Sequence, residues 1–177
     1  MFIDFQGYRL SHKQEEMIRS AVSLSLDYLI SQRLKRTLEI SVTIEKDLYE
    51  DRRIWGDMSP EDDERSPKLF EMRLNYSGVQ SFGQLIKALS HETIHIAQFA
   101  TRRLRHLSGS FRVRFEKDIY VSSHVRYEDR PWEIEAHDLE DKILDYIRSS
   151  DPEIENYIQS KACDVWRPES TFLASEL

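Results

Sequence analysis

The segment His91-Glu92-Thr93-Ile94-His95 has the residue types and the spacing of a zinc site. On a helix, two histidines four residues apart have Cβ atoms about 5–6 Å from each other, so both imidazoles can reach one zinc ion at roughly 2.0–2.1 Å. In this motif the glutamate that follows the first histidine lies beside the activated water and serves as the general base. The pattern therefore predicts His91 and His95 as zinc ligands and Glu92 as a catalytic residue.

A catalytic zinc ion needs a third protein ligand and one open coordination position. The segment Arg130–Asp138 supplies candidates, because it begins a second helix and is rich in carboxylates. Glu133 lies 38 residues beyond His95, in the first turn of this helix, where it could point at the metal. Glu135 would be rotated from it by about 200° around the helix axis, so the two cannot both be ligands. Helix phase alone leaves the choice between them open.

The two segments together resemble the gluzincins, zinc metallopeptidases in which a downstream helix donates a glutamate ligand. The string Arg-Pro-Trp-Glu-Ile-Glu-Ala at 130–136 is similar to small single-domain metallopeptidases, many of them encoded by bacteriophages. The resemblance covers roughly residues 70–145. It implies a zincin-like fold, a zinc cofactor held by His91, His95 and Glu133, and hydrolysis of a peptide or protein substrate with Glu92 as base. His137 departs from the pattern, since many gluzincins have aspartate there.

Residues around the second helix are candidates for supporting roles. His137 or Asp138 would hydrogen-bond a metal ligand. The oxyanion that develops during peptide hydrolysis needs a further hydrogen-bond donor, and we expect Tyr127 to be this second catalytic residue, although a position in the core or at its rim would also explain an aromatic residue there. The same role is open to four other residues: Tyr120, His124, Arg126 and His137.

Other metal-ligand sets remain open to the sequence. A metzincin would need a histidine six residues past His95, where Thr101 stands. His106 or His124 would complete a three-histidine site, but neither has a recognisable ligand spacing. Deformylase-like sites take a cysteine from upstream, whereas the single cysteine, Cys163, lies downstream and is interpreted as a small buried apolar residue.

Capping signals and periodicity predict the elements that position these residues. Ser81 and Gln84 have the form of a capping box for the histidine helix, and Pro131 suits the first turn of the second helix. The acidic segment 50–68 has the composition of a loop. It is either a lid or a run of charged residues that is simply exposed to solvent. The strand at 69–76 is expected to border the cleft, where an extended peptide adds by main-chain hydrogen bonds. Helices are predicted at 13–36 (capped by Ser11), 81–105, 132–149 and 153–160; strands at 38–44 and 69–76; and a strand or hairpin at 111–121.

The whole chain, with 177 residues and 40% apolar content, is predicted to form one α+β domain over 1–166 and a frayed tail over 167–177. A small mixed or antiparallel sheet should pack on the histidine helix and on the second ligand-bearing helix. No apolar run approaches the roughly 20 residues of a membrane span, and no secretory signal is visible. A cytoplasmic location is therefore expected, while the oligomeric state stays open.

Two other functions are compatible with the same residues. A structural or regulatory protein could bind the metal without turning over substrate, although degenerate sites often lose the glutamate first and Glu92 is present. A DNA-associated protein would dock nucleic acid on a local basic patch. The net charge of −7 argues against general polyanion binding, so a nucleic-acid partner is not expected. The arginines of such a patch are Arg102, Arg103, Arg105, Arg112 and Arg114.

Overall fold

The computed structural model describes residues 1–46, 55–62, 65–77, 79–107 and 111–161. Over these ranges it contains five α-helices and two β-sheets, which confirms the α+β prediction. The elements in chain order are β1 (Phe2–Gly7), α1 (His12–Leu29), α2 (Gln32–Lys35), β2 (Glu39–Glu45), β3 (Gly56–Pro60), β4 (Leu69–Asn75), α3 (Phe82–Ala100), β5 (Leu104–Leu107), β6 (Arg112–Phe115), β7 (Asp118–Val121), α4 (Pro131–Ser150) and α5 (Pro152–Ser160).

The larger sheet has the strand order β1-β2-β4-β3. Strands β1, β2 and β4 are parallel, and β3 is the antiparallel edge strand beside β4. Alternate residues of the central strands are fully buried and build the core with α1 and α3, as the period-2 pattern predicted. These residues are Ile40, Val42 and Ile44 on β2 and Phe70, Met72 and Leu74 on β4.

Two strands of this sheet were missed by the sequence analysis. Strand β1 was not predicted, and β3 lies inside the segment interpreted as an acidic loop. Strand β3 contains Gly56 and Pro60, which weaken a strand signal but are tolerated at a sheet edge. Its pairing with β4 makes it a strand. Residues 50–54 and 63–64 of the supposed lid lie outside the described residues, as do Cys163 and the predicted tail.

The first helix ends earlier than predicted, so the prediction of one helix to Arg36 is wrong. Helix α1 ends at Leu29, and Ile30 is extended. Ser31 then caps α2 by accepting a hydrogen bond from the Leu34 amide, because serine competes with helical backbone bonding. The cap predicted at Ser11 is present, and Gln14 completes a capping box with it that was not predicted.

The histidine helix α3 also ends earlier, at Ala100 rather than Arg105. Arg102 has a left-handed backbone (φ 65°), and β5 begins at Leu104, so Arg105 lies in a strand. At the other end, Ser81 accepts from the Gln84 amide as predicted. The Gln84 side chain, however, accepts from the Gln80 amide.

The smaller sheet is antiparallel, with the order β5-β6-β7, and confirms the hairpin interpretation of 111–121. Its buried face carries Val113 and Phe115, and Trp132 of α4 lies against Phe115. This sheet therefore forms a wall next to the start of α4. None of the described helices combines the length and the apolarity that crossing a bilayer requires.

Candidate metal centre

His91 and His95 lie one turn apart in the middle of α3, and both are buried. Their Nε2 atoms are 3.2 Å from each other and point to the same place. The geometry follows from the helix itself, because a spacing of four residues places side chains on one face and the Ser81 cap fixes where the helix begins.

Helix α4 brings Glu133 to the two histidines. Pro131 occupies its first turn, and Glu133 follows in the same turn. The Glu133 Oε2 atom lies 3.4 Å from His91 Nε2 and 3.3 Å from His95 Nε2. Ala136, one turn further along, is fully buried, and its small side chain lets α4 approach α3 closely.

These three atoms fit a tetrahedral zinc ion. Bonds of roughly 2.0–2.1 Å at tetrahedral angles place neighbouring ligand atoms about 3.3–3.4 Å apart, and the observed separations are 3.2, 3.3 and 3.4 Å. Glu133 Oε2 is also buried without a hydrogen-bond partner in the described part of the chain. Buried carboxylate oxygens are rarely left so, and a bound cation would satisfy this one.

The two glutamates that the sequence left as alternatives lie on different sides of α4. Glu133 contacts both histidines, whereas Glu135 hydrogen-bonds Gln98 and Arg103. Among the described residues, the His91–His95–Glu133 group is one of two that could hold a metal ion. The other consists of His91, His137 and Glu140, so neither His106 nor His124 belongs to such a group.

Burial and close contact shift the pKa values of the three candidate ligands. Burial lowers the pKa of His91, but the neighbouring carboxylates of Glu133 and Glu140 and the charge of Glu92 outweigh burial and raise the pKa to about 10. Burial raises the pKa of Glu133, yet the contacts with His91 and His95 hold it well below its usual range. Without a metal, the cluster therefore keeps a protonated imidazole beside a carboxylate.

Glu92 is buried next to the candidate ligands and lines the cavities on both sides of them. Burial raises its pKa to about 7, although the neighbouring charges of His95 and His91 oppose the shift. A carboxyl group that titrates near neutral pH can both accept and return a proton during a reaction. This is the property that a general base requires.

Glu140 is a site residue that the sequence analysis missed. Its Oε2 lies 2.9 Å from Nδ1 of His91, and because an ionised carboxylate can only accept, the imidazole N–H donates. His137 and Asp138 were predicted for this role, but His137 only packs its ring on His91 and approaches Glu140 at 3.4 Å, while Asp138 is exposed. The sequence could have indicated Glu140, because it lies two helical turns after Glu133 and therefore on the same face of the helix.

Tyr127 lies in a short turn before α4 and is half exposed. Burial together with the nearby charge of Glu133 raises the pKa of its phenol, so the group remains a donor at neutral pH. The alternative donors lie elsewhere: Tyr120 packs on Trp132, Arg126 pairs with Asp129 at the surface, and His124 is exposed.

Two cavities of about 370 and 530 Å³ flank the centre and share five lining residues, so they form one cleft across it. The shared residues are Gly56, Asp57, His91, Glu92 and Tyr127. Strand β3, not β4, forms the rim. The prediction that strand 69–76 borders the cleft is therefore wrong, because β4 is paired on both sides, with β2 and with β3.

Comparison of the chain with protein-family models, with curated proteins and with solved structures gives no significant match.

Proposed function

We propose that this chain is a gluzincin-like zinc metallopeptidase with a zincin-like fold, in which His91, His95 and Glu133 hold the metal. The observation that carries the proposal is the buried Glu133 Oε2, which has no hydrogen-bond partner among the described residues and lies at tetrahedral distances from two imidazole nitrogens. A mixed sheet with an antiparallel edge strand beside the histidine helix supports the same interpretation.

The neighbouring side chains suit hydrolysis of a peptide bond. A bound zinc ion supplies Lewis acidity to the carbonyl and acidity to the attacking water. Glu92 takes a proton from that water and returns it to the leaving amine, for which a pKa near neutrality is suitable. Tyr127 donates a hydrogen bond towards the developing oxyanion, because its phenol stays protonated beside the cleft.

The substrate would bind as an extended strand along β3. Strand β3 is an edge of the sheet, and its residues Gly56, Asp57 and Met58 line the cleft next to Glu92. The main-chain groups of an edge strand can pair with a peptide of any sequence, while the two flanking cavities would receive its side chains. A peptide or protein is therefore the substrate class that the cleft favours.

The decisive experiment measures zinc content and hydrolysis of a mixed peptide library for the wild type, Glu92→Gln and Glu133→Ala. We expect one zinc ion per chain in the first two proteins, loss of zinc in Glu133→Ala, and activity in the wild type alone. The glutamine variant keeps the shape of residue 92 but cannot take the proton, so its rate should fall by about 100-fold or more.

Each departure from these results has a separate meaning. Zinc retained in Glu133→Ala would remove Glu133 from the ligand set. A wild type that binds zinc and cleaves no peptide would favour a structural or regulatory metal protein. Full activity of Glu92→Gln would contradict the assignment of the base, and a wild type that binds no metal would overturn the whole proposal.

A second candidate role, binding of an anionic partner, is favoured by the register of the small sheet. Arg105 on β5 lies directly opposite Arg114 on β6, and Arg112 lies two residues away on the same face. Opposed like charges are unfavourable, and the Arg105 Nε atom is buried without a hydrogen-bond partner in the described chain. Phosphate groups would offset the repulsion between the opposed guanidinium groups.

This candidate is tested by binding of a fluorescent single-stranded oligonucleotide at low salt. The double variant Arg105→Gln/Arg114→Gln should weaken binding and flatten its salt dependence by about 0.7 in log–log slope for each phosphate that the arginines no longer neutralise. The exposed Arg33, on α2, provides the control variant Arg33→Gln. Absence of binding by the wild type at low salt would dismiss the candidate.

A further inference from the structure

Gln98 lies one turn after His95 on α3 and is buried at 1% exposure. Its Oε1 atom is 2.8 Å from His95 Nδ1. The Nε2 group of the same amide donates to the Trp132 carbonyl at 3.0 Å and to Glu135 Oε2 at 2.8 Å. Both of these α4 groups are acceptors only, so the two amide hydrogens must point at them.

This arrangement decides which nitrogen of His95 carries a proton. An amide side chain can in general be turned by 180°, exchanging its donor and acceptor ends. Here the acceptors on α4 prevent the exchange, so the carbonyl end of Gln98 faces His95 and can only accept. Nδ1 of His95 must then be the donor, which leaves the lone pair of Nε2 directed at His91 and Glu133.

Glu135 is itself held in place from the other side. Arg103 Nη2 donates to Glu135 Oε1 at 2.8 Å, and the Arg103 guanidinium also pairs with Glu116 at the β6–β7 turn. One carboxylate oxygen of Glu135 thus accepts a hydrogen bond from Gln98, and the other accepts one from Arg103. His91 needs no such relay, because its Nδ1 faces a carboxylate, Glu140, that has no donor end when ionised.

We propose that Gln98 and Glu135 are positioning residues that fix His95 as the Nδ1–H tautomer, so that its Nε2 is ready to bind a metal, and that Arg103 acts by holding Glu135. This inference rests on the proposed metal site and does not depend on peptide hydrolysis. Partners of this kind typically change metal affinity by 10–100-fold when they are removed.

The test compares Glu135→Ala and Glu135→Gln with Asp138→Asn, an exposed carboxylate on the same helix that serves as the matched control. Zinc affinity is measured by competition with a chromophoric chelator. Two-bond ¹H–¹⁵N spectra, recorded with and without zinc, show which nitrogen of His95 carries the proton and how fast that proton exchanges with solvent. Thermal melting identifies any variant that fails to fold.

We expect Glu135→Ala to bind zinc 10–100-fold more weakly and to lose protection of the His95 Nδ1 proton, with Asp138→Asn within twofold of the wild type. Glu135→Gln should lie between them, because its carbonyl can still accept from Gln98. Arg103→Met should weaken zinc binding less than Glu135→Ala does. In a protein that already carries Glu135→Ala, it should cause no further loss of zinc affinity.

Wild-type zinc affinity together with an unchanged Nδ1 proton in a folded Glu135→Ala protein would overturn the inference. So would equal losses in Glu135→Ala and Asp138→Asn. A wild type that binds zinc without cleaving peptides would sink the proposed peptidase function but leave these expectations standing. If the wild type bound no zinc, the proposed metal site would fail, and the spectra of the metal-free protein would still show whether Glu135 controls His95.

Discussion

At the scale of single residues, the two histidines of α3 are held through their Nδ1 atoms by chemically different partners. His91 donates to the carboxylate of Glu140, and His95 lies against the amide of Gln98. A carboxylate partner increases the basicity of an imidazole more than a neutral amide does. We therefore expect His91 to bind the metal more strongly than His95 does. We also expect Glu140, the partner of His91, to affect metal affinity more than Gln98, the partner of His95.

We predict that Glu140→Ala lowers zinc affinity by about 10–100-fold, because the His91 ring loses the acceptor that orients it. Chelator competition measures the change. Asp141→Asn is the matched control, since Asp141 shares the partner Lys87 with Glu140 but does not contact His91. Equal effects of the two substitutions would mean that Glu140 acts through Lys87 and the surface charge rather than through the histidine.

At the scale of elements, the cleft depends on how closely β3 lies against α3. A Cβ atom added to Gly56 would lie 3.2 Å from Glu92 Cγ and 3.1 Å from both the Arg73 carbonyl oxygen and Leu74 Cδ2. These contacts are tighter than ordinary packing, and one neighbour is the main chain of β4. Glycine at this position thus allows the edge strand to lie directly over the proposed base.

Gly56→Ala should therefore lower peptidase activity by displacing Glu92 or β3, while the chain still binds one zinc ion. Kinetic assays and metal analysis on the same preparation measure the two effects. The control is Gly83→Ala in the first turn of α3, where the nearest atom would be 3.5 Å away, so that normal activity and an increase in stability of up to about 1 kcal/mol are expected. Unchanged activity of Gly56→Ala would show that the close approach of β3 is not needed.

At the scale of the whole molecule, the proposed zinc ion would join α3 to α4. The three ligands come from two helices separated in sequence by the small sheet, so the metal can bind tightly only when these helices are packed. Binding to the folded state alone stabilises it by RT ln(1 + [Zn]/Kd), which is about 2.7 kcal/mol when the free zinc concentration is 100 times Kd.

We predict that zinc raises the melting temperature of the wild type and that this increment shrinks as the pH falls from about 8 to about 6. The sign follows from His91, whose pKa of about 10 means that the metal-free protein holds a proton that must leave before zinc binds. Each proton released lowers the apparent affinity by about tenfold per pH unit. Melting curves with zinc and with a chelator, across this pH range, measure the effect.

Glu133→Ala is the control for this prediction, because it removes a ligand while leaving both histidines on α3. Zinc should not raise its melting temperature at any of these pH values. An equal increment in both proteins would place the stabilising metal elsewhere on the chain. A wild-type increment that does not vary with pH would mean that no proton leaves the centre on binding.

The sequence by itself determined whatever depends on neighbours along the chain. The spacing of His91, Glu92 and His95 on one helix, the Ser81 cap and Pro131 at the start of α4 were all predicted, as were the two central strands. Helical geometry and strand alternation are local properties with fixed periods, so a pattern of residue types is enough to indicate them.

The tertiary structure decided what depends on how elements meet. Only the packing of α4 on α3 determines that Glu133 rather than Glu135 faces the histidines, and that Glu140 and Gln98 are their outer partners. Likewise, Gly56–Pro60 becomes a strand because β4 offers it an edge, since its own residues favour a loop. Such contacts join residues far apart in sequence, and helix orientation and sheet register set them, neither of which a local pattern encodes.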